Sequence, residues 1–469
     1  MVKNTIISNF NDTVKVHNAS IGLVVDKKKY TYHELDELSN GLANTISECI
    51  CGIQNPILVF DDHPLQVACT ILGVMKSRNI IVPVSKKTPV HRLLEIIDTC
   101  NIKGYISLDE HQELNSCHIP VKYNKIKDYS YTGDENDDAY IIYTSGTTGK
   151  SKGVLVQHKG ILNSVLERNS ILGINSNSSS VNLMGFSFDG FFMSFLSPLL
   201  AGGTLYLPKN VADYTEVCSI LKENFISNFL CTPTFLNSLL IYADDKLLDN
   251  ISLISLAGEP VSLALIEKFV KKYPFIQIAN EYGPTENSIC TSINPDIRNQ
   301  SVISTGKVIK NVEAKIFSDT RECSQKEIGE LYLAGIGLAK GYVNDEELTK
   351  RKFLLIDGKT WYRTGDLAYR DHDELIISGR VDKQVKVNGY RIDLSEIENV
   401  IQRYDGINSC VVNYNSIDGM TAYWTSSYKI NHEEIIKFLR KHINDYMLPA
   451  NYIQVPNIPM LESGKIDYV

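Results

Sequence analysis

The chain has 469 residues, 43% of them hydrophobic, and a formal net charge of −8 at pH 7. At roughly 100–200 residues per domain the length calls for several domains, and an acidic chain without a Lys/Arg block argues against a nucleic-acid-binding body. Ten cysteines without a Cys-x-x-Cys pair, a start (Met1-Val2-Lys3-Asn4-Thr5) with no apolar leader, and a longest apolar stretch (186–200) broken by Asp189 predict a cytoplasmic protein with neither a zinc site nor a membrane span.

In chain order, residues 22–35 read as a strand followed by a helix, with Thr31 as N-cap and Glu34 at the capping-box position. Strand 57–60, helix 65–76 and strand 80–84 form a βαβ pattern, the mark of a parallel sheet. Helix 91–100 and strand 104–107 follow, then the acidic run 134–138, read as a solvated turn. The apolar run 139–143 reads as a buried strand leading into Thr144-Ser145-Gly146-Thr147-Thr148-Gly149-Lys150-Ser151-Lys152-Gly153. Glycines that admit backbone N–H groups, hydroxyl donors and lysines together suit a polyphosphate. A Walker A loop requires a glycine where Thr144 stands, so a P-loop NTPase is disfavoured.

Beyond the loop the alternation continues. Helices are predicted at 161–172, 191–200, 214–224 and 262–272, and strands at 181–184, 204–207, 228–231, 254–257 and 277–280. Ligands bind at the C-terminal ends of such strands. That edge gathers the glycine loop, Leu230, Ala257-Gly258-Glu259 and Glu281-Tyr282-Gly283. From about 301 to 381 short alternating segments predict a β-rich subdomain, and after Asp382 the texture changes again. The expected division is a core over 1–381 and a small α+β unit over 382–469.

Four segments in order, Thr144 to Gly149, Asn280-Glu281-Tyr282-Gly283-Pro284-Thr285-Glu286, Tyr362-Arg363-Thr364-Gly365-Asp366-Leu367 and Gly379 to Lys386, resemble the adenylate-forming superfamily. Within it they resemble the adenylation domains of nonribosomal peptide synthetases, from Tyr30-Thr31-Tyr32-His33-Glu34-Leu35 to Ser463-Gly464-Lys465-Ile466-Asp467. One departure is Ser151, where the family has proline before the second lysine. The resemblance implies an α/β fold with βα-layered sheets, a β-rich subdomain and a mobile C-terminal lid hinged at Asp382. It implies ATP and Mg²⁺ as cofactors, and a two-step activity. A carboxylate attacks the α-phosphate, giving an acyl-adenylate and pyrophosphate, and a phosphopantetheine thiol on a peptidyl carrier protein then takes the acyl group.

The same resemblance implies the site residues. Thr144, Ser145, Gly146, Thr147, Thr148, Gly149 and Lys152 are expected on the β- and γ-phosphates, and Asn280, Glu281, Tyr282, Gly283 and Thr285 around the nucleotide. Asp366 and Arg380 are expected at the ribose and phosphate, Glu286 at Mg²⁺, and Lys465 at the α-phosphate and substrate carboxylate. Asp189 matches the aspartate that holds an α-ammonium. Its local alternative is a helix N-cap. The rest of the pocket corresponds to Gly190, Met193, Leu230, Ser255, Ala257, Glu281, Ile289 and Cys290. Gly190 and Ala257 are expected to leave room, and Ser255 and Glu281 to meet a polar tip. A large α-amino acid follows, aromatic ones such as tyrosine or phenylalanine among them. Glu281 pairing with a basic side chain, or turned into the protein, stays open. In the second half-reaction the loop 387–391 is expected to replace Lys465, with Gly389 allowing close backbone approach. An aryl- or acyl-CoA ligase of the same fold is the alternative, as is a nucleotide-binding scaffold. The partners expected are an amino acid and a carrier, in trans or within a larger synthetase.

Overall fold

The computed structural model describes residues 4–114, 116–144, 151–242, 246–319, 321–415 and 418–458. Two large sheets carry the first part of the chain. One, of seven strands, has Pro56–Phe60, Ile80–Val84 and Asp138–Thr144 at its centre. The other, of nine strands, sets Asn228–Cys231, Leu253–Leu256 and Gln277–Tyr282 side by side and parallel. These three strands are buried along most of their length, as parallel strands covered by helices must be. Their C-terminal ends lie at one edge. A six-stranded antiparallel sheet spanning Val312–Ser318 to Glu374–Arg380 is the β-rich part read from the alternation. Beyond it the hairpin Gln384–Val387/Tyr390–Asp393 and a three-stranded sheet surround a separate apolar cluster that includes Ile392, Ile397, Val412 and Trp424. No helix among the described residues is long and apolar enough to cross a membrane.

The capping box forms as predicted. The Glu34 N–H donates to Thr31 Oγ1 at 3.1 Å, and the Thr31 N–H donates to Glu34 Oε2 at 3.0 Å. Thr31→Ala is expected to lower stability by about 1 kcal/mol, the usual cost of losing such a cap, read as a fall in the denaturation midpoint.

One strand was not anticipated, and one reading of the sequence is corrected. The segment after the glycine loop is a strand, Lys152–Gln157, paired antiparallel with Asp138–Thr144 so that Thr144 faces Lys152. The described segments on either side of the loop are thus two paired strands, whereas a Walker A loop leads from a strand into a helix, a second ground for setting that motif aside. In the acidic run 134–138, read as a solvated turn, Glu135 and Asn136 do form an exposed turn, but Asp137 and Asp138 are buried. Both Asp137 oxygens accept from Arg78, at 2.9 and 3.1 Å, and Asp138 pairs with Lys340 at 2.7 Å. These pairs tie the turn to the sheet beneath it. The helix Ile6–His17, capped by Thr5 with Ser8, was not anticipated, because serine is a weaker box partner than Glu or Gln.

Candidate active site

The site is assembled from three sheets and the C-terminal hairpin. At its centre lies Glu286, on a single 3-10 turn (Thr285–Asn287) just after the strand Gln277–Tyr282. The carboxylate is fully buried. Its Oε1 accepts from Lys152 Nζ at 3.0 Å and from the Tyr342 hydroxyl at 2.8 Å, and its Oε2 accepts from Arg391 Nη1 at 3.0 Å. Burial alone raises a carboxyl pKa, but Arg391 and Lys152 hold this one well below the usual range. Burial pulls the Lys152 ammonium down to about 8, against the opposing pull of Glu286. Each partner comes from a different element: Lys152 from the hairpin of the glycine loop, Tyr342 from the short strand beside it, and Arg391 from the C-terminal hairpin.

The turn that carries Glu286 is tightly folded. Ser288 and Ile289 both have positive φ, 54° and 76°. For a β-branched residue that is a strained backbone, of the kind that collects at functional sites. Gly283 lets the turn close, since a Cβ there would lie 2.1 Å from the Ile289 carbonyl oxygen. Asn280, two residues before Tyr282, donates from Nδ2 to the Ser304 carbonyl at 2.8 Å.

A second cluster joins Tyr282, Asp366, Arg380 and Asp382. The Tyr282 hydroxyl donates to Asp366 Oδ2, and Arg380 bonds Asp366 Oδ1. Arg380 also forks onto Asp382, with Nε and Nη2 at 2.6 and 2.9 Å from its two oxygens. Lys386 lies 5.5 Å from the centre of the Tyr282 ring. These residues line a cleft of about 900 Å³, walled on one side by Gly258, Glu259 and Lys268 and on the other by Ile377, Val385 and Lys386.

Asp189 opens the helix Asp189–Ala201. The N-cap is Phe188, so the capping alternative for Asp189 is set aside. Burial pushes its carboxyl upward, opposed by the Thr285 hydroxyl and the Gly190 N–H. Among the described residues no ion pair is formed with it; the Glu286 charge pushes it further up and the more distant Lys386 ammonium pulls it down. Met193, Leu230 and Cys290 lie in one buried apolar cluster with Ala257 and Ile289 at its edge. The room expected at Gly190 is already filled, because a Cβ there would meet Met184 Cε at 2.6 Å.

The polar end expected at Ser255 and Glu281 is also engaged. Arg168 donates from Nε to both Glu281 oxygens at 2.9 and 3.0 Å, from Nη1 to Ser197 Oγ at 2.9 Å and from Nη2 to Ser255 Oγ at 3.1 Å. Of the readings left open for Glu281, the one turned into the protein is the one observed. Arg168 was missed from the sequence. Its signal was there, a cation on the stripe that Ile161 and Val165 make apolar in the helix His158–Leu172. Tyr342 and the reach of Arg391 to Glu286 were missed too. His158 is buried and its imidazole is pulled down to about 4, so it is neutral and packed. His63 caps the helix Pro64–Lys76.

The C-terminal hairpin sits on the core. Its turn residues Asn388 and Gly389 have φ of 52° and 82°, the left-handed pair that an Asn-Gly turn adopts. The Gly389 N–H donates to Glu259 Oε1 at 2.7 Å. Tyr390 meets Phe188 edge to face at 4.4 Å and stacks on Tyr446 at 3.8 Å. Ser145, Gly146, Thr147, Thr148, Gly149 and Lys465 lie outside the described residues. Thr144, at the loop's edge, has a buried hydroxyl with no hydrogen-bond partner among the described residues.

The AMP-binding enzyme family matches residues 10–343. Gramicidin S synthase 2 of Brevibacillus brevis is 32% identical over 485 residues, covering 99% of this chain and 11% of the synthase. Bacitracin synthase 1 of Bacillus licheniformis is 32% identical over 469 residues, covering 95% of this chain and 9% of the synthase. The chain thus spans about a tenth of the length of these curated relatives. Among solved structures, the Vibrio cholerae adenylation domain AlmE in complex with glycyl-adenosine-5'-phosphate superposes with a TM-score of 0.87 at 19% identity, covering 99% of this chain and 97% of its own. The o-succinylbenzoate CoA synthetase of Bacillus subtilis gives 0.88 at 21% identity, covering 98% and 97%. At those identities the likeness is one of fold. A match over residues 10–343 in a single family, joined to this fold, places the chain: it belongs to the AMP-binding enzyme family.

Proposed function

We propose that the chain activates an α-amino acid as its adenylate and passes the aminoacyl group to a phosphopantetheine thiol on a peptidyl carrier protein. Asp189 is the observation that carries the amino-acid half. A buried carboxylate is costly unless a cation meets it, and a substrate α-ammonium is that cation. The substrate carboxylate is already ionised at neutral pH, so no general base is needed, consistent with the neutral, packed His158. A carboxylate oxygen bonds to the α-phosphorus as the bond to the bridging oxygen breaks, and the electron pair leaves with pyrophosphate.

In this reading Tyr282, Asp366 and Arg380 hold the adenosine, with Asn280, Gly283 and Thr285 shaping the turn around it. Thr144 and Lys152, with the loop from Ser145 to Gly149, hold the departing phosphates, and Lys465 reaches the α-phosphate. The resemblance puts Mg²⁺, a hard cation that takes one or two carboxylates plus phosphate oxygens, at Glu286; the carboxylate is held ionised, and because Lys152, Tyr342 and Arg391 already engage both its oxygens, the ion would bind there in exchange for one of these partners. When bound, the ion offsets triphosphate charge. The direct test is a matched pair of substrates, the preferred amino acid and the same acid lacking its α-amino group. Adenylate formation is expected to fall by about 10⁴-fold or more for the second, in line with stranding a site's buried polar group. Equal rates would refute the assignment of Asp189.

The thioester half rests on the docked hairpin. We place a hinge at Asp382, between 1–381 and 382–469, and read the docked turn at Asn388 and Gly389, beside Glu259, as the wall past which the thiol reaches the adenylate. A Cβ on Gly389 would lie 2.7 Å from Thr232 Cγ2, on a backbone already at φ 82°. Gly389→Ala is expected to slow thioester transfer by about tenfold or more, since strain of about 1–3 kcal/mol falls on the docked state. Pyrophosphate exchange should stay near wild type, and single-turnover assays of the two steps separate the effects.

A further inference from the structure

The first turn of the core helix Val90–Cys100 is held by the C-terminal unit at two separate points. Arg92 Nη2 donates to Glu396 Oε1 at 3.3 Å, on the helix Leu394–Ile401. His91 Nε2 donates to the His442 carbonyl at 3.0 Å, just past the helix His432–Leu439. The partners lie 304 and 351 positions apart, on opposite sides of Asp382 in the chain. The ion pair is closed off from water, with the Arg92 side chain 12% exposed and that of Glu396 3%. Nη1 of Arg92 binds Glu95 on its own helix at 3.1 Å, which sets the direction of the guanidinium.

Tyr446 joins this pair to the hairpin. Burial pushes its hydroxyl up to about 12, and the Arg92 and Glu396 charges act on it in opposite directions. Its ring stacks on Tyr390 at 3.8 Å. The chain neighbours of Tyr390 are Gly389, whose N–H reaches Glu259, and Arg391, which reaches Glu286. One run of contacts thus leads from Arg92 through Tyr446 and Tyr390 to the part of the hairpin that meets the site.

We propose that Arg92 is a positioning residue for thioester transfer. By pairing with Glu396 it holds the C-terminal unit in its docked orientation, and with it the hairpin at the site. This rests on the reading of Asp382 as a hinge and of the docked hairpin as the state that transfers to the thiol.

A buried ion pair contributes little to the stability of a rigid body. At an interface that opens, its effect depends on the state. With the unit swung away, Arg92 and Glu396 are each solvated by water. Docking strips that water, and the loss is offset only when both partners are present. Removing one strands the other in the docked state alone. The docked population falls and the open one is untouched, so only the step that needs docking slows. Adenylate formation, which in this reading uses Lys465 where the hairpin now sits, does not need the pair.

Hydrogen exchange on the full chain reads docking without any substrate. In Arg92→Gln, exchange over 384–393 is expected to speed up at least tenfold, the Gly389 N–H included, while the strands Leu253–Leu256 and Gln277–Tyr282 keep their protection. Arg92→Lys, which retains the charge, should stay within about threefold of wild type. In single-turnover assays on a pre-formed aminoacyl-adenylate, transfer to pantetheine should slow at least tenfold in Arg92→Gln, with pyrophosphate exchange unchanged. Unchanged hairpin exchange in a folded Arg92→Gln overturns the proposal. So does an equal loss of both catalytic steps, or an Arg92→Lys that behaves like Arg92→Gln. If Arg92→Gln fails to fold, Glu396→Gln is read by the same outcomes, and if neither folds the pair is a requirement of the fold and the proposal fails. A wild-type chain that makes the adenylate but passes nothing to pantetheine would instead remove the thioester reading, and hydrogen exchange would still decide whether Arg92 holds the docked state.

Discussion

Glu286→Gln is expected to lower adenylate formation by about 10²–10³-fold, the size of effect seen when one charge-stabilising group is removed from a transition-state site. The substitution keeps the shape of the side chain and removes its charge. Two buried cations, Lys152 and Arg391, then face a neutral amide. Breaking a buried pair in this way costs about 3–5 kcal/mol, so the variant should also denature at lower temperature. The two effects are separable. Nucleotide binding and exchange can be measured well below the denaturation midpoint, where a purely structural role predicts near-normal rates. Tyr342 offers an internal comparison. Its hydroxyl both donates to Glu286 and accepts from Lys152, so Tyr342→Phe removes two hydrogen bonds to charged groups but no charge. A smaller loss is expected there.

Asp189→Asn is expected to do the opposite to stability while still destroying activity. The wild-type carboxylate forms no ion pair among the described residues, and burial raises its pKa above the ordinary 3.8 against the weaker pull of Lys386. Such a group opposes folding wherever it is ionised in the unfolded chain and must be buried in the folded one. The isosteric amide escapes that cost, so the variant should be equally stable or more stable by about 1 kcal/mol at pH 7. The sign with pH follows. The advantage of the variant is full above the raised folded pKa of Asp189, and shrinks as pH falls toward 3.8, below which the wild-type carboxyl is protonated in both states. Activity should nonetheless drop by about 10²–10³-fold, because an α-ammonium loses its charge-assisted partner. A loss of stability in Asp189→Asn, or unimpaired amino-acid activation, would contradict the role given to this residue.

The regular parts of the fold were legible because period and punctuation are local. The strand–helix alternation over 57–84 and the Thr31 capping box depend on residues within a few positions of each other, and both are observed. The strand Lys152–Gln157 was not legible, since its apolar run, Val154-Leu155-Val156, is only three residues long and follows the glycine, serine and lysines of the loop. The missing information was mostly long-range. Arg168 and Glu281 lie 113 positions apart, and Arg391 and Glu286 105. A pattern shows that Arg168 sits on an apolar stripe, but the strand that answers it is set by sheet order. Gly190 shows the same gap at short range, as the absent side chain suggested space that Met184 occupies. The Gly389 turn lies between these cases. Its Asn-Gly pair gives the hairpin, and only the docked geometry shows the contact with Glu259.

The central claim is that the substrate is an α-amino acid, and amino-acid-dependent ATP–pyrophosphate exchange tests it most directly. The panel should hold the twenty standard amino acids with ornithine and β-amino acids, set against aryl and fatty acids. Robust exchange with one or a few α-amino acids, and none with the aryl and fatty acids, is the result predicted. Exchange supported only by an aryl or fatty acid would move the chain to the acyl-CoA ligases of the same fold and contradict the account.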